Sequence, residues 1–356
     1  MKVYGIIMEI NPFHNGHLHF LKQARKIAQD HLLVCVISTN IVQRGEISVL
    51  SKDIKTKLLL ENGVDIVCEL PAVLANQGGE HFALASLRIL SNFKITNLIF
   101  GSESNDLDLL INQSNSISRA DFKSGINANL DLLRSNDILG ISYIRAANSL
   151  NLNLQYNLVK RISNNYNDTN LNTSIASATA IRVNLEKHED VSKFLPMQAL
   201  DNICQVNYQL LFNLFKINLR NYLDGETAIF LSEDNQLLIR MEKLLTKHNP
   251  HSLSEFVDLC KDRNNSKYKY QRIIINVILG VSTDDYSQYD YLRILGFKPT
   301  VSKYLPQGSF TSLADAQNPL AKIEIRASHL FSMLTNNFQF NEFDRKPYIF
   351  KERNEF

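Results

Sequence analysis

Residues 1–17 read MKVYGIIMEINPFHNGH, and the way this run breaks decides how the rest of the chain is read. VYGIIMEI is apolar enough for a buried strand. It stops at Asn11-Pro12, where proline removes a backbone donor and fixes a turn. His14 and His17 then bracket Gly16, and the amphipathic run GHLHFLKQARKIAQ predicts a helix. A helix opening near His17 presents unpaired N–H groups and the positive end of its dipole to an anion. Gly16 lets the backbone approach phosphate, and both imidazoles can face one bound group and donate to phosphoryl oxygens.

Further along, the same alternation recurs: LLVCVIS then KDIKTKLLLENG, DIVCELP then GEHFALASLRILSN, NLIFGSE then a helical stretch, and SNDILGISYIRAANSL before NLQYNLVKRIS. Strand followed by helix at this rhythm predicts right-handed crossovers and a Rossmann-like parallel sheet covered on both faces, ending near residue 190. From 191 to 356 the pattern is helix after helix, in MQALDNICQVNYQLLFNLFKI, NQLLIRMEKLLTKH, SLSEFVDLCKD, YQRIIINVILG and LAKIEIRASHLFSMLT. The strand-like pieces here are too weak for a second sheet. The expected architecture is therefore an α/β domain over 1–190 followed by a mostly α-helical domain over 191–356.

Across 356 residues, 38 Lys plus Arg stand against 36 Asp plus Glu, so the net charge of +2 demands no polyanionic partner and any nucleic-acid surface must be local. The best local signal is CKDRNNSKYKYQR, residues 260–272, where cations alternate with Tyr268 and Tyr270. A basic loop leading into a core helix reads equally well. Cys35, Cys68, Cys204 and Cys260 form no CxxC pair, and the HxxH of the first turn has no third zinc ligand nearby, which argues against a metal site or a disulfide framework. The N-terminal apolar run is too short for a signal peptide or a membrane span, so a reducing cytoplasm and no membrane are expected.

Other segments sit where a parallel sheet binds ligands, beyond the carboxyl ends of its strands. Gly101 in FGSE is a turn glycine or a place for a nucleotide to meet backbone. Asn136 in SNDILGISY is a helix cap or a ligand contact. Arg161 follows the last strand-like run and offers a fork of donors suited to phosphate. Ser177, Thr179 and Arg182 of SIASATAIR open a helix, as an ordinary cap or as a triphosphate cradle. VQRGE, residues 42–46, is a solvated turn or a loop that meets nucleotide or RNA, with Lys52 and Lys55 shortly after it.

NPFHNGH resembles the HxGH signature of the nucleotidylyltransferase superfamily, whose members attack the α-phosphate of ATP or CTP. GIIMEINPFHNGHLHFLKQA, with VQRGE, VDIVCELP, FGSE, SNDILGISY, KRIS and SIASATAIR in that order, is similar to the bacterial tRNA(Met) cytidine acetate ligase family. The resemblance implies a nucleotidylyltransferase-like domain that uses ATP, with Mg2+ shielding its phosphates, to turn acetate into acetyl-adenylate. Acetylation of N4 of the wobble cytidine of elongator tRNA(Met) would follow. It implies His14 and His17 as catalytic residues. It assigns ATP to Ile7, Met8, Glu9, Ile10, Asn11, Pro12, Phe13, His14, Asn15, Gly16, His17 and Leu18, and to Gly101, Asn136, Arg161, Ser177, Thr179 and Arg182. For tRNA it points to Lys267, Tyr268, Lys269 and Arg272. The chain departs from the family pattern in ISTNI, where a Ser-Gly pair is common, in SKDIK, where an arginine often follows the lysine, and around Asp234 in LSEDNQLLIR. The competing readings are a small-molecule nucleotidylyltransferase of cofactor or lipid synthesis and an ATP- or RNA-binding module without catalysis.

Overall fold

The strand read at the start of the chain is β1, Val3–Met8, and it lies inside a seven-stranded sheet. A computed structural model describes residues 1–116, 134–162, 176–225, 235–263, 265–288, 290–315, 318–337, 342–343 and 345–351. After β1 come α1 (Asn15–Ala28), β2 (Leu32–Ser38), the short hairpin strands β3 (Ile41–Val42) and β4 (Glu46–Ile47), α2 (Lys52–Glu61), β5 (Ile66–Leu70), α3 (Ala72–Ala75) and α4 (Gly79–Ser91). Next are β6 (Asn97–Ser102), α5 (Leu107–Ser116), α6 (Ser135–Ser149), β7 (Gln155–Lys160) and α7 (Ala178–Glu186). The second half contributes α8 (Met197–Leu200), α9 (Tyr208–Leu223), α10 (Asn235–His248), α11 (Leu253–Cys260), α12 (Lys267–Leu279), β8 (Ile294–Phe297), α13 (Leu320–Thr335) and β9 (Tyr348–Ile349).

The strand order is β7-β6-β1-β2-β5-β8-β9, parallel throughout except between β5 and β8. β2 and β5 are added on one side of β1 and β6 and β7 on the other, so the turn after β1 opens at the switch point, where such sheets bind ligands. β2 shows why its sequence is apolar at every position: Leu33, Cys35 and Ile37 enter one core and Val34 and Val36 the other, on opposite faces. Cys35, Cys68 and Cys260 are buried free thiols. No described helix is long and apolar enough to cross a membrane.

The second half departs from its expected mostly helical, separate domain in one respect that matters. β8 and β9 lie beyond residue 190 yet extend the first sheet, with Phe297 opposite Ile66 and Tyr348 opposite Gly296. A buried charge network joins the same elements. Lys52 Nζ, fully buried on α2, donates to Glu324 at 2.8 Å, to Glu342 at 3.0 Å and to Glu69. Arg293 donates to Glu69 at 3.0 Å and to Glu342. Burial alone would depress the Lys52 ammonium, but Glu324, Glu342 and Glu69 outweigh it and hold the group charged. The charge at Lys52, which follows VQRGE in the sequence, is spent inside the protein.

Two helical readings are also refined. The run 197–217 is broken into α8 and α9, and α12 begins at Lys267, so the basic stretch 260–272 is helical from that point on. α9, α10, α11 and α12 bury a core of their own around Phe212, Phe215, Met241, Phe256 and Ile274. The departure at Asp234 lies outside the described residues.

Candidate active site

The chain leaves β1 through an uncommon backbone. Ile10 has φ 56, a left-handed conformation that a β-branched residue adopts only when its surroundings enforce it, and Asn11-Pro12 is cis. Asn11 Oδ1 accepts from the Val49 N–H at 2.8 Å, and Phe13 is fully buried. His14 thereby becomes the N-cap of α1. Its Nδ1 accepts from the Gly16 N–H at 3.0 Å, while His17 Nδ1 accepts from the His14 N–H at 3.3 Å. This is a capping box built from two imidazoles. Because each Nδ1 is an acceptor, each neutral ring carries its proton on Nε2 as a donor.

The ring centroids are 3.9 Å apart. Burial, then Arg161 and Arg182, push His14 down to about 3. Burial, then His14 and Arg161, hold His17 well below its ordinary value. A depressed histidine pKa contributes stability that is fully present above about 6.5 and is lost as pH falls through that window toward the folded value. In NMR titrations of the ligand-free protein, the His14 and His17 ring signals should stay in the neutral position down to about pH 5, while unperturbed histidines titrate near 6.5. A midpoint near 6.5 for either ring would contradict this environment.

Across the switch point, the first turn faces the ends of β6 and β7. Arg161 lies over Gly101, where a Cβ would stand 3.3 Å from the arginine Cγ, so this glycine makes room for the guanidinium stem rather than for a ligand alone. Arg161 donates to Asn136 Oδ1 at 3.2 Å and lies 3.6 Å from Glu103. Asn136 is not a cap. The N-cap of α6 is Arg134, whose side chain makes no cap bond, and Asn136 donates through Nδ2 to Glu103 at 2.5 Å. The Glu103 carboxylate also accepts the N–H groups of Asn136 and Asp137, each at 3.2 Å, and Asp137 in return accepts from the Ser102 hydroxyl and the Glu103 and Ser104 N–H groups. This exchange of carboxylates, which the sequence reading missed, fixes the Asn136–Arg161 pair.

On the third side stands α7. Ser177 caps it, accepting from the Ala180 N–H at 3.1 Å, and Thr179 is exposed on its first turn. Arg182 points back to the first turn, donating to the Asn11 carbonyl at 2.7 Å and to Glu46 at 2.6 Å. Its guanidinium therefore locks three elements together while still lining the cleft. Lys55 is likewise internal: fully buried, it donates to the carbonyls of Glu9, Ser38 and Thr39 at 3.0, 3.0 and 2.8 Å, and burial pushes it down to about 7.

The fourth wall joins the halves of the chain. The β3–β4 hairpin turns at Gly45, φ 72, where a Cβ would lie 2.5 Å from the Arg272 backbone nitrogen. VQRGE is thus neither solvated nor loose but pressed against the first turns of α12. Arg44 donates to the Tyr268 hydroxyl at 3.2 Å and stacks on its ring at 4.9 Å, with Lys267 over the same ring at 5.2 Å. Tyr270 is fully buried and donates to Asp262, so it offers no stacking face.

Together these walls enclose a cleft of about 1410 Å³. Ile7, Met8, Glu9, Ile10, Asn11, His14, Gly16 and His17 line it with Gly101, Asn136, Arg161, Ser177, Thr179 and Arg182, and Lys269 and Arg272 reach it from α12. Pro12, Phe13, Asn15 and Leu18 shape the turn without lining the cleft, and Lys267 and Tyr268 sit beside it at the hairpin. Glu103 and Asp137 join the site without having been singled out, and Arg44 joins it from the VQRGE loop.

A family model described as HIGH Nucleotidyl Transferase matches residues 1–131 and 115–346, so the chain belongs to that class of nucleotide-using proteins. Among similar curated proteins, the tRNA(Met) cytidine acetate ligase of Thermosipho africanus is 30% identical over 346 residues, covering 86% of this chain and 82% of that one. The one from Clostridium kluyveri is 30% identical over 398 residues, covering 96% and 97%. Two crystal structures of Thermotoga maritima TmcAL share the fold at 24% identity, each covering 98% of this chain and 99% of that one. They comprise an apo form with a TM-score of 0.82 and a form bound with alpha-thio ATP with a TM-score of 0.79. The chain is a member of the tRNA(Met) cytidine acetate ligase family.

Proposed function

We propose that this protein is an ATP-dependent acetate ligase that forms acetyl-adenylate and acetylates N4 of the wobble cytidine of elongator tRNA(Met), in the cytoplasm where that tRNA is found. The observation that carries the reading is the meeting, in one cleft, of the two imidazoles of the first turn with Lys269 and Arg272 of α12. Residues 1–190 supply the nucleotide side of the cleft, and the helical part of 191–356 supplies the cationic wall suited to RNA phosphates.

In the first step an acetate oxygen attacks the α-phosphorus in line and pyrophosphate leaves. Neutral imidazoles suit this step: as donors they strengthen toward the oxygens on which charge gathers, without a proton having to be lost first. Arg161, held by Asn136 and Glu103, adds a fixed positive charge. Mg2+ is proposed only as the companion of the triphosphate. Among the described residues no group of three or more His, Cys, Asp or Glu side chains forms a metal site, so these residues give it no cage. In the second step the cytidine amine attacks the acetyl carbon and AMP leaves.

Incubation with labelled acetate, ATP and elongator tRNA(Met) tests the reading. One acetyl group on cytidine, one AMP and one pyrophosphate should appear together. Formation of ADP, or turnover only with a phosphorylated metabolite and no RNA, would refute it in favour of a different nucleotide chemistry.

A further inference from the structure

We propose that Glu9 is a catalytic residue of acetyl transfer, its open carboxylate oxygen taking the proton that the cytidine amine loses as it attacks the activated acetyl carbon. The inference rests on the ligase reading above. The amine of cytosine is a weak nucleophile because its lone pair is delocalised into the ring, and its N–H groups become strongly acidic once the C–N bond forms. A base within reach therefore lowers the barrier. The amine nitrogen supplies the electron pair of the new C–N bond. The acetyl C–O bond to the phosphate breaks with its pair on oxygen, releasing AMP. The N–H pair returns to nitrogen as the proton passes to Glu9.

The cleft leaves few acceptors for that proton. Glu46 is paired with Arg182 at 2.6 Å, Glu80 lies 3.3 Å from Arg145, and Glu103 is spent on Asn136, Asp137 and Arg161. His14 and His17 use Nδ1 on backbone N–H groups, which leaves those two rings only donors, while of the other lining groups His81 and Glu189 are exposed at the rim and His19 is half-buried on α1. Glu9 differs. Its Oε1 accepts from the Gln43 N–H at 2.6 Å, and among the described residues no hydrogen bond reaches Oε2 of this cleft-lining side chain. It stands at the carboxyl end of β1, two residues before the phosphate-facing turn, and is tied directly to the hairpin that α12 grips. That places it between the nucleotide side and the cationic side. Burial raises its pKa, opposed by the Gln43 N–H, Arg44 and Lys55 and reinforced by Glu46, and Tyr143 of α6 also faces it. A raised carboxylate pKa makes a stronger base near neutrality.

Glu9→Gln tests this, since the amide oxygen still accepts from Gln43. Two rates are compared: acetate-dependent exchange of labelled pyrophosphate into ATP without RNA, and single-turnover transfer from preformed acetyl-adenylate to tRNA(Met). The transfer-to-exchange ratio should fall by about 10²–10⁴-fold. Hydroxylamine, which needs no such base, should still trap the acetyl group, and Glu9→Asp should recover part of the transfer. In wild type, single-turnover transfer should rise with pH as Glu9 ionises, and the Gln variant should lack that rise. A parallel fall in exchange, trapping and transfer, or a pH-independent wild-type transfer rate, would overturn the proposal. Absence of acetate-dependent exchange in wild type would instead overturn the ligase reading itself.

Discussion

His14→Asn should lower acetate-dependent pyrophosphate–ATP exchange by about 10²–10³-fold, the usual effect of removing one donor to developing charge, with little change in stability. His14 does two jobs through two nitrogens. Nδ1 caps α1 by accepting from Gly16, and the opposite Nε2–H faces the cleft. An asparagine oxygen can take over the first role and has no group to place at the second. His14→Ala loses both, so the same fall in exchange should come with a further loss of about 1 kcal/mol of stability. Equal stability losses in the two variants would contradict the capping role of Nδ1, and exchange within about threefold of wild type would separate the imidazole from phosphate chemistry.

Lys52→Met should be the costliest single change to the fold, at about 3–5 kcal/mol. Methionine matches the lysine stem, but it leaves Glu69, Glu324 and Glu342 buried with Arg293 as the remaining cation of the cluster. Glu324 is already raised to about 7 by burial and by the Glu69 charge. Without the ammonium its folded pKa rises further above the unfolded one, so the folded state binds the extra proton and gains stability toward acid. Relative to wild type, the deficit should therefore be largest above about pH 7 and shrink as pH falls toward about 4.5. Urea titrations at both ends of that window check the sign. A deficit that does not vary with pH would mean that the network is not what Lys52 neutralises.

The same network shows where sequence reading reached its limit. The first turn was legible because its signals are local: an apolar run, Asn-Pro, a glycine, and histidines at capping distance all act within a few residues. β2 and β5 were legible because a strand buried on both faces must be apolar at every position. Lys52 and Lys55 look like solvent-facing charges in a helix, and only partners brought from elsewhere, such as Glu342 at a separation of 290 positions, reveal them as internal.

β8 failed to show for a related reason. ILGF is four residues long, and its strand character comes from pairing with Ile66 and Val67 across the tertiary fold. Gly45 carried a readable flexibility signal whose cause was not readable: the positive φ serves a close approach to Gln271 and Arg272. Asn136 illustrates the converse. Its position near a helix start suggested a cap, yet Glu103 arrives from β6 to fill that role and frees the amide to hold Arg161.

Acetate labelled with ¹⁸O in both oxygens tests the central claim most directly. If acetate attacks the α-phosphorus in this cleft, one labelled oxygen stays on phosphorus when the acetyl group moves to cytidine. Mass spectrometry of a single turnover with ATP and elongator tRNA(Met) should then find AMP carrying one ¹⁸O for every acetyl transferred. Unlabelled AMP alongside acetylated RNA, or label appearing in inorganic phosphate, would contradict attack at the α-phosphorus and with it the role given to the His14 and His17 turn.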